Sequence, residues 1–380
     1  MSDLSAALCQ TGLERLIRRV RTTLSQCGER FPYAADPVTG VWSTTEDGDW
    51  AGGYWIALLL LAYRRTGEQM LIEAAQRLTA KLEVHWRRED MFRGLMFYLA
   101  GARAWELTGI SSFYELGLRA AETMCAMFRS DIGAIPIGSQ LKVKQSKLRL
   151  GLMTAIDNVY ICLLPLWWWW KQTSCETCWR AALAQLETTR RFLIRENGAA
   201  VQLAEWSDPL RPPIRTFNYQ SLYDDGCWSR GQAFAMAGFA VAFEHTSDSG
   251  YLTTLSLLTN YYEERCPEDG VPGYDLALPP PPQTLRDTSA AAITAWGLTR
   301  LLLSGKLEPD QAGPFQQLRD KILTSLLRHY QTPTSEQDHR PEGMLLEGCF
   351  NVRDGVDTHH ELIWGDYYLF ESLHAVVNED

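Results

Sequence analysis

The residues of this chain that could do chemistry gather where predicted helices begin. Trp50 and Tyr54 flank a pair of glycines, and Asp157 lies in a Thr-Ala-Ile-Asp-Asn segment. Trp228 stands two residues before Arg230 in a Trp-Ser-Arg-Gly-Gln segment. The first turn of a helix offers unpaired N–H groups and a partial positive charge, which favour an anion such as a carboxylate. Aromatic rings around a polar pocket suit sugars, whose C–H faces stack on Trp and Tyr.

These residues need a scaffold, and the helical spacing of apolar residues along nearly the whole chain predicts an all-α fold. Phe315, Leu318 and Ile322, for example, follow one helix face, and Pro314 is expected in the first turn of that helix. Strand-like alternation is scarce. Twelve helices are predicted, near residues 3–27, 50–66, 68–87, 92–108, 111–128, 152–172, 175–195, 229–245, 248–266, 287–304, 314–331 and 361–377.

The links between these helices alternate in length. Tight links follow the even-numbered helices, whereas most links that enter them are long: roughly 28–49, 129–151, 196–228, 267–286 and 332–360. Because successive antiparallel helices alternate in direction, the long links lie at one end of the bundle, where sites usually form. Six hairpins suggest a closed double ring of helices, an (α/α)6 barrel. Since no low-complexity linker divides the chain, we expect a single catalytic domain over residues 1–380.

Each candidate residue also has a purely structural explanation. Asp157 and Asp287 could cap a helix or lie in its first turn. Arg230 could be the partner of a structural salt bridge. The tryptophans 167–170 cover every face of a helix, so at least two of them are expected to be packing or surface residues. Because the candidates share one predicted rim, we favour the functional interpretation.

Composition and charge narrow the range of partners and locations. The 380 residues include 36 Lys and Arg against 46 Asp and Glu, a net charge of −10, which does not favour nucleic acid or an anionic membrane. No secretion signal is expected, and the longest apolar run, 159–170, is too short to span a bilayer. Nine cysteines, an odd number, favour a reducing cytoplasm, and the pair Cys175 and Cys178 is expected to be structural. The histidines show no metal-binding spacing, so neither a metal nor another cofactor is expected.

Five short segments, in this order between about residues 40 and 375, carry a family resemblance. They are Trp50-Ala-Gly-Gly-Tyr-Trp55, Ile156-Asp-Asn158, Trp228-Ser-Arg-Gly-Gln-Ala-Phe234, Arg286-Asp-Thr-Ser-Ala-Ala-Ala292 and Ile363-Trp-Gly-Asp-Tyr-Tyr368. Together they resemble the unsaturated glucuronyl hydrolases and the related unsaturated rhamnogalacturonyl hydrolases (glycoside hydrolase families 88 and 105). That family has an (α/α)6 barrel, in agreement with the helix count.

The resemblance also implies a reaction and its residues. The family hydrates the C4=C5 double bond of an unsaturated uronic acid, and the resulting hemiketal opens and releases the attached sugar. By the same matching, Asp157 would protonate C4 and help to activate the water that attacks C5. One acid can do both if its pKa is raised toward neutrality, which a desolvating aromatic pocket promotes. The implied substrate-binding residues are Trp50, Tyr54, Phe92, Trp228, Arg230, Gln232 and Phe234.

The match breaks where the fourth helix begins. The family carries a second acidic residue there, in a His-Asp-x-Gly-Phe element, whereas this chain has Phe92 opposite that Asp. Asp90 could replace it only through a local shift. An Asn that follows the family's catalytic Asp is also missing, with Ile161 nearest. Without the second carboxylate, the pKa of Asp157 loses the upward shift of a like charge, and the pocket becomes more apolar.

Three functions remain open on the sequence. The first is the hydration of unsaturated uronides. The second is proton transfer by Asp157 on a different, less polar alkene or enol ether, in a hydratase, isomerase or cyclase, for which an apolar pocket containing Phe92 would be the structural indication. The third is a sugar-acid binding protein without turnover. Two-carboxylate glycoside hydrolysis is disfavoured because only one well-placed acid is evident. In each case we expect a small-molecule ligand, no nucleic-acid or membrane partner, and a monomer or homodimer.

Overall fold

Helices make up most of the structure, as the sequence predicts. The computed structural model describes residues 4–139, 152–278 and 285–378. Its α-helices are α1 (Ala6–Cys27), α2 (Gly52–Thr66), α3 (Gln69–Lys81), α4 (Phe92–Phe97), α5 (Ala104–Thr108), α6 (Ser111–Met127), α7 (Asn158–Ile161), α8 (Leu163–Thr173), α9 (Glu176–Phe192), α10 (Ser229–Thr246), α11 (Ser249–Arg265), α12 (Thr288–Leu303), α13 (Pro309–Ser325) and α14 (Ile363–Val377). A 3-10 helix, Leu82–Arg87, extends α3, and π-helical turns at Tyr98–Arg103 and Leu326–Tyr330 join α4 to α5 and extend α13.

Within the described residues these segments form the twelve predicted helical units, because α4 with α5 and α7 with α8 each make one unit. The prediction that Pro314 lies in the first turn of its helix is wrong. Helix α13 begins five residues earlier, at Pro309, where Glu308 and Gln311 form a capping box. Reciprocal caps and a proline at the first helical position are a stronger start signal than Pro314. Residue 3 of the first predicted helix and parts of the links 129–151 and 267–286 lie outside the described residues.

Six helical units form a closed inner ring. Helix α2 contacts α4 and α5, α4 contacts α7 and α8, and the ring continues from α7 through α10, α12 and α14 back to α2. Helices α1, α3, α6, α9, α11 and α13 pack around it. Helix α12 is buried on nearly every side, whereas α3 buries one face, as expected for an inner and an outer helix. The fold is an (α/α)6 barrel, which confirms the predicted class. Within the described ranges, no helix combines the length and apolar character that crossing a bilayer requires.

Two small antiparallel sheets, which the sequence did not predict, organise the long links. Strands β1 (Phe31–Ala35), β2 (Trp42–Thr45) and β6 (Glu361–Leu362) form one sheet, in the order β2-β1-β6. Strands β3 (Leu152–Ala155), β4 (Leu203–Trp206) and β5 (Arg215–Phe217) form the other. The sixth predicted helix therefore begins with a strand, because residues 152–155 pair with β4. Strands β3 and β6 lead directly into α7 and α14, and so fix where these inner helices start.

Small residues let the inner helices approach each other closely. A Cβ on Gly53 of α2 would lie 2.4 Å from the backbone oxygen of Met96 on α4. A Cβ on Gly297 of α12 would lie 2.7 Å from the Cα of Ala237 on α10. Both distances are shorter than a van der Waals contact, so a side chain at either position would push the helix backbones apart.

Gly53→Ala should therefore destabilise the barrel. Overpacking against Met96 is expected to lower the free energy of unfolding by about 1–3 kcal/mol, measured by urea denaturation. Glu73→Ala, on the exposed face of α3, is the control and should change stability by less than about 0.5 kcal/mol. Equal stability of the two variants would contradict the close approach of α2 and α4.

Candidate active site

A cavity of about 250 Å³ lies among the starts of the inner helices and the long links. Every predicted site residue except Gln232 lines it. The complete lining consists of Trp50, Tyr54, Phe92, Asp157, Ile161, Tyr219, Gln220, Trp228, Arg230, Phe234, Phe350, Asn351, Asp354 and Trp364. Its volume lies below the roughly 300–1,000 Å³ usual for pockets of drug-sized ligands, so it suits one sugar ring rather than an oligosaccharide.

Asp157 is the buried acid of this cavity. Strand β3 leads to it, and it is the residue directly before α7, but its side chain makes no capping hydrogen bond. Asp157 therefore stands at the N-cap position of α7, as the structural explanation expects, but its side chain does not cap the helix. The side chain is 5% exposed, and its Oδ2 has no hydrogen-bond partner among the described residues. Burial raises the pKa of Asp157 to about 6, against smaller opposing effects of its own backbone amide and the charge of Arg230. Such an acid can both give and take a proton near neutral pH.

Aromatic rings form much of the cavity wall, with Trp50 at their centre. Its ring centroid lies 5.1 Å from that of Phe92, 4.9 Å from that of Trp364 and 6.2 Å from that of Phe350. The indole N–H of Trp50 donates a 2.9 Å hydrogen bond to the Tyr33 hydroxyl, which fixes the ring in the plane it needs for these contacts. The indole donor of Trp50 is therefore already used, and its ring offers flat, apolar faces.

Deeper in the barrel, Tyr54, Phe234 and Trp228 complete the aromatic lining. The hydroxyls of Tyr54 and Tyr368 lie 3.2 Å apart, and Phe234 stacks on Tyr160 with centroids 5.5 Å apart. Trp228, directly before α10, carries the guanidinium of Arg230 over its ring at 4.6 Å. These contacts hold the three rings in place in the cavity wall.

Arg230 lines the cavity and is also held by hydrogen bonds to other groups of the protein. Its Nη1 donates to Asp287 Oδ2 at 2.6 Å and to the backbone oxygen of Cys349 at 2.8 Å, and its Nη2 donates to the backbone oxygen of Phe350 at 2.8 Å. Asp287 also caps α12 by accepting from the amide of Ser289. Both structural explanations, the salt bridge and the cap, are therefore correct, and the ion pair positions the Phe350 link beside the cavity.

Gln232 points away from the cavity. Its amide nitrogen donates to the backbone oxygens of Gly198 and Leu258, both at 2.9 Å, and its amide oxygen accepts from the amide of Ala200 at 2.8 Å. These bonds join the link before β4 to α10 and α11. Substrate binding by Gln232 stays a prediction, and its position gives it a supporting role.

Tryptophans 167–170 also lie away from the cavity lining. Trp167 and Trp168 are buried, and the Trp167 ring stacks on His245 with centroids 5.1 Å apart. This run therefore packs α8 against its neighbours.

Phe92 and Ile161, the two positions at which the sequence is expected to depart from the family pattern, both line the cavity with apolar side chains. Asp90 does not line it, and its buried carboxylate accepts from Arg88 at 2.8 Å and from the backbone amide of Arg93 at 3.2 Å. It anchors the start of α4 instead.

Ile161 and Trp364 line the cavity although they were not predicted as site residues. Five further lining residues come from segments without a motif: Tyr219, Gln220, Phe350, Asn351 and Asp354. All come from the links 196–228 and 332–360, which were expected to lie at this end of the barrel. No motif marks them individually, because links of this length reach the cavity only through long-range contacts. Gln220, for example, donates to the backbone oxygen of Phe350 at 3.2 Å.

A second cavity, of about 160 Å³, has a different character. Its guanidiniums are matched by carboxylates, with Arg103 Nε 2.6 Å from Glu371 and Arg300 Nη2 2.6 Å from Glu244. Because these charges already neutralise each other, this cavity offers a ligand no free charged group from the described part of the chain. The candidate active site is therefore the cavity around Asp157. Over the described ranges, no group of three or more His, Cys, Asp or Glu side chains is arranged to hold a metal ion.

A barrel of six helical hairpins with a buried acid in an aromatic cavity has the architecture of a class of glycosidases. No family model matches the chain. The unsaturated glucuronyl hydrolase of Bacillus sp. (strain GL1) is 29% identical over 358 residues, which cover 92% of each chain. Its crystal structure gives a TM-score of 0.84 at 28% identity, over 96% of both chains. The unsaturated chondroitin disaccharide hydrolase of Streptococcus pneumoniae (strain ATCC BAA-255 / R6) is 23% identical over 370 residues, 95% of this chain and 90% of that protein.

The chain is therefore similar to the unsaturated glucuronyl hydrolases in both sequence and fold. Its likeness extends over nearly the whole length of these relatives, as the five segments in the sequence suggest.

The raised pKa of Asp157 should make stability depend on pH. The folded state holds the proton up to about pH 6, whereas an unfolded Asp releases it near pH 3.9, so wild type loses stability as the pH rises between these values. Asp157→Asn removes this loss. Urea unfolding should show the stability difference, variant minus wild type, rising by roughly 2 kcal/mol from pH 4 to pH 7. A difference that does not change with pH would show that Asp157 ionises normally.

Proposed function

We propose that this protein hydrates the C4=C5 double bond of an unsaturated uronic acid and thereby releases the attached sugar. Asp157 in its acid form donates a proton to C4. The resulting carboxylate then takes a proton from the water that attacks C5, which restores the acid. The product is a hemiketal, which opens and releases the second sugar.

The observation that carries this proposal is the state of Asp157. A carboxyl group that is buried, has one oxygen without a partner and has a pKa raised to about 6 is suited to both proton transfers. The flat faces of Trp50 and Trp228 suit the C–H surface of a sugar ring. The names of the relatives, glucuronyl and chondroitin disaccharide hydrolases, support an unsaturated uronide as the substrate.

The proposal predicts that the protein removes the ultraviolet absorption of its substrate. Incubation with an unsaturated glucuronyl disaccharide should remove the ultraviolet absorption of the conjugated double bond, and Asp157→Asn should slow this loss by at least about 100-fold. No loss with folded wild-type protein would contradict the proposal. If sugar acids then raise the melting temperature without being converted, the protein is a binding protein. Equal rates for wild type and variant would remove Asp157 from the reaction.

One observation favours a second candidate function. Phe92 and Ile161 stand inside the cavity where the family pattern has polar groups, and Arg230 is already paired with Asp287. The ligand edge that faces these two apolar side chains cannot form hydrogen bonds to them. This arrangement favours a less polar alkene or enol ether, on which Asp157 would carry out the same proton transfer in a hydratase, isomerase or cyclase.

Phe92→Asp tests the choice between these functions. If the native substrate is less polar, restoring the carboxylate should raise kcat/KM for the unsaturated glucuronyl disaccharide by about tenfold or more, because it adds a polar partner and raises the pKa of Asp157. Phe92→Leu is the matched control and should leave kcat/KM nearly unchanged. If wild type already outperforms a folded Phe92→Asp variant on this disaccharide, the second candidate is contradicted.

The proposal includes the setting of the enzyme. It acts as one catalytic domain, a monomer or homodimer, in a reducing compartment such as the cytoplasm, on a small-molecule substrate and without a cofactor. The closed inner ring of helices supports a single catalytic domain. The nine cysteines, all of them free thiols, support a reducing compartment.

A further inference from the structure

The CxxC segment, expected from the sequence to be purely structural, is arranged as a dithiol. Cys175 is the residue directly before α9, and Cys178 lies in the first turn of that helix. The two Sγ atoms are 3.1 Å apart, with the Cys178 thiol donating toward Cys175. A disulfide bond is about 2.05 Å long, so the sulfurs need to approach each other by about 1 Å, which side-chain rotation can supply.

A third thiol lies beside this pair. Cys125, near the end of α6, is within hydrogen-bond reach of Cys178, and this hydrogen bond lowers the pKa of Cys125 to about 7 against the opposing effect of burial. The same contact raises the pKa of Cys178, which therefore stays protonated. Cys125 and Cys175 are half-buried, whereas Cys178 is buried. A small oxidant from solvent therefore meets Cys175 or Cys125 before Cys178.

We propose that Cys175 and Cys178 are a redox-active site at which a peroxide forms a reversible disulfide bond. The Cys175 thiolate attacks one peroxide oxygen, which gives a sulfenic acid and releases hydroxide. The sulfur of Cys178 then attacks the sulfenic sulfur, its proton passes to the Cys125 thiolate, and the sulfenic oxygen leaves as hydroxide. Two thiols lose two electrons and two protons, the peroxide is reduced to two waters, and a second thiol compound restores the pair by exchange.

The location of the pair separates it from catalysis. None of the three cysteines lines the cavity around Asp157. Oxidation therefore changes the chemistry of the region where the outer helices α6 and α9 pack on the inner helix α8, and not the lining of the active site.

Mass spectrometry of tryptic peptides tests this site in the intact protein. Residues 172–180 form one tryptic peptide that contains both Cys175 and Cys178. After treatment with hydrogen peroxide and alkylation of the remaining thiols, this peptide should be two hydrogens lighter and unalkylated, and dithiothreitol should reverse the change. The partly buried Cys266, which has no second thiol beside it, is the reference and should be oxidised at least about tenfold more slowly.

Substitutions define the roles of the three thiols. Cys125→Ser should form the same disulfide more slowly, because it removes the proton acceptor, whereas Cys175→Ser should not form it. The proposal is overturned if peptide 172–180 stays fully alkylated while Cys266 is oxidised. It is also overturned if the stable product joins Cys178 to Cys125. Because the readout is the mass of a peptide, it does not depend on the activity of the enzyme.

Discussion

The buried ion pair between Arg230 and Asp287 is the interaction on which the candidate active site depends. It joins α10 to the start of α12, and through two backbone oxygens it holds the Cys349–Phe350 link against the barrel. Breaking a buried pair typically costs about 3–5 kcal/mol, because the remaining charge is left without a partner. The positive charge of Arg230 in the cavity wall is therefore neutralised by Asp287. Because Arg230 also binds the backbone oxygen of Phe350, it holds the Phe350 ring beside Trp50.

Asp157 contrasts with this pair. Its carboxyl group is buried to a similar degree, yet one of its oxygens is left without a partner in the described part of the chain. A buried carboxylate without a full set of partners is unfavourable, and the fold responds by holding the proton up to about pH 6. Burial is the cause that raises this pKa, and the charge of Arg230 opposes it. Asp157 is thus made a proton donor by desolvation, and not by the repulsion of a neighbouring negative charge.

The closed ring of inner helices makes this desolvation possible. Glycines such as Gly53 and Gly297 bring neighbouring helices close enough to exclude water between them. The strands β3 and β6 then direct the chain into the ring, so that Asp157 and Trp364 enter the cavity at the starts of α7 and α14. The same segments that supply the site therefore also set the spacing of the helices.

The twelve helical units, the barrel and the motif segments of the cavity can be predicted from the sequence, because helical periodicity, link length and short motifs are local properties of the chain. The folded structure was needed to show that Arg230 pairs with Asp287, that Gln232 points into the protein and that Asp90 anchors α4. It also brought Phe350 and Asp354 to the cavity from a link without a motif, and placed Cys175 beside Cys178. These outcomes depend on contacts between residues that are far apart in the chain or on side-chain direction, and periodicity records neither.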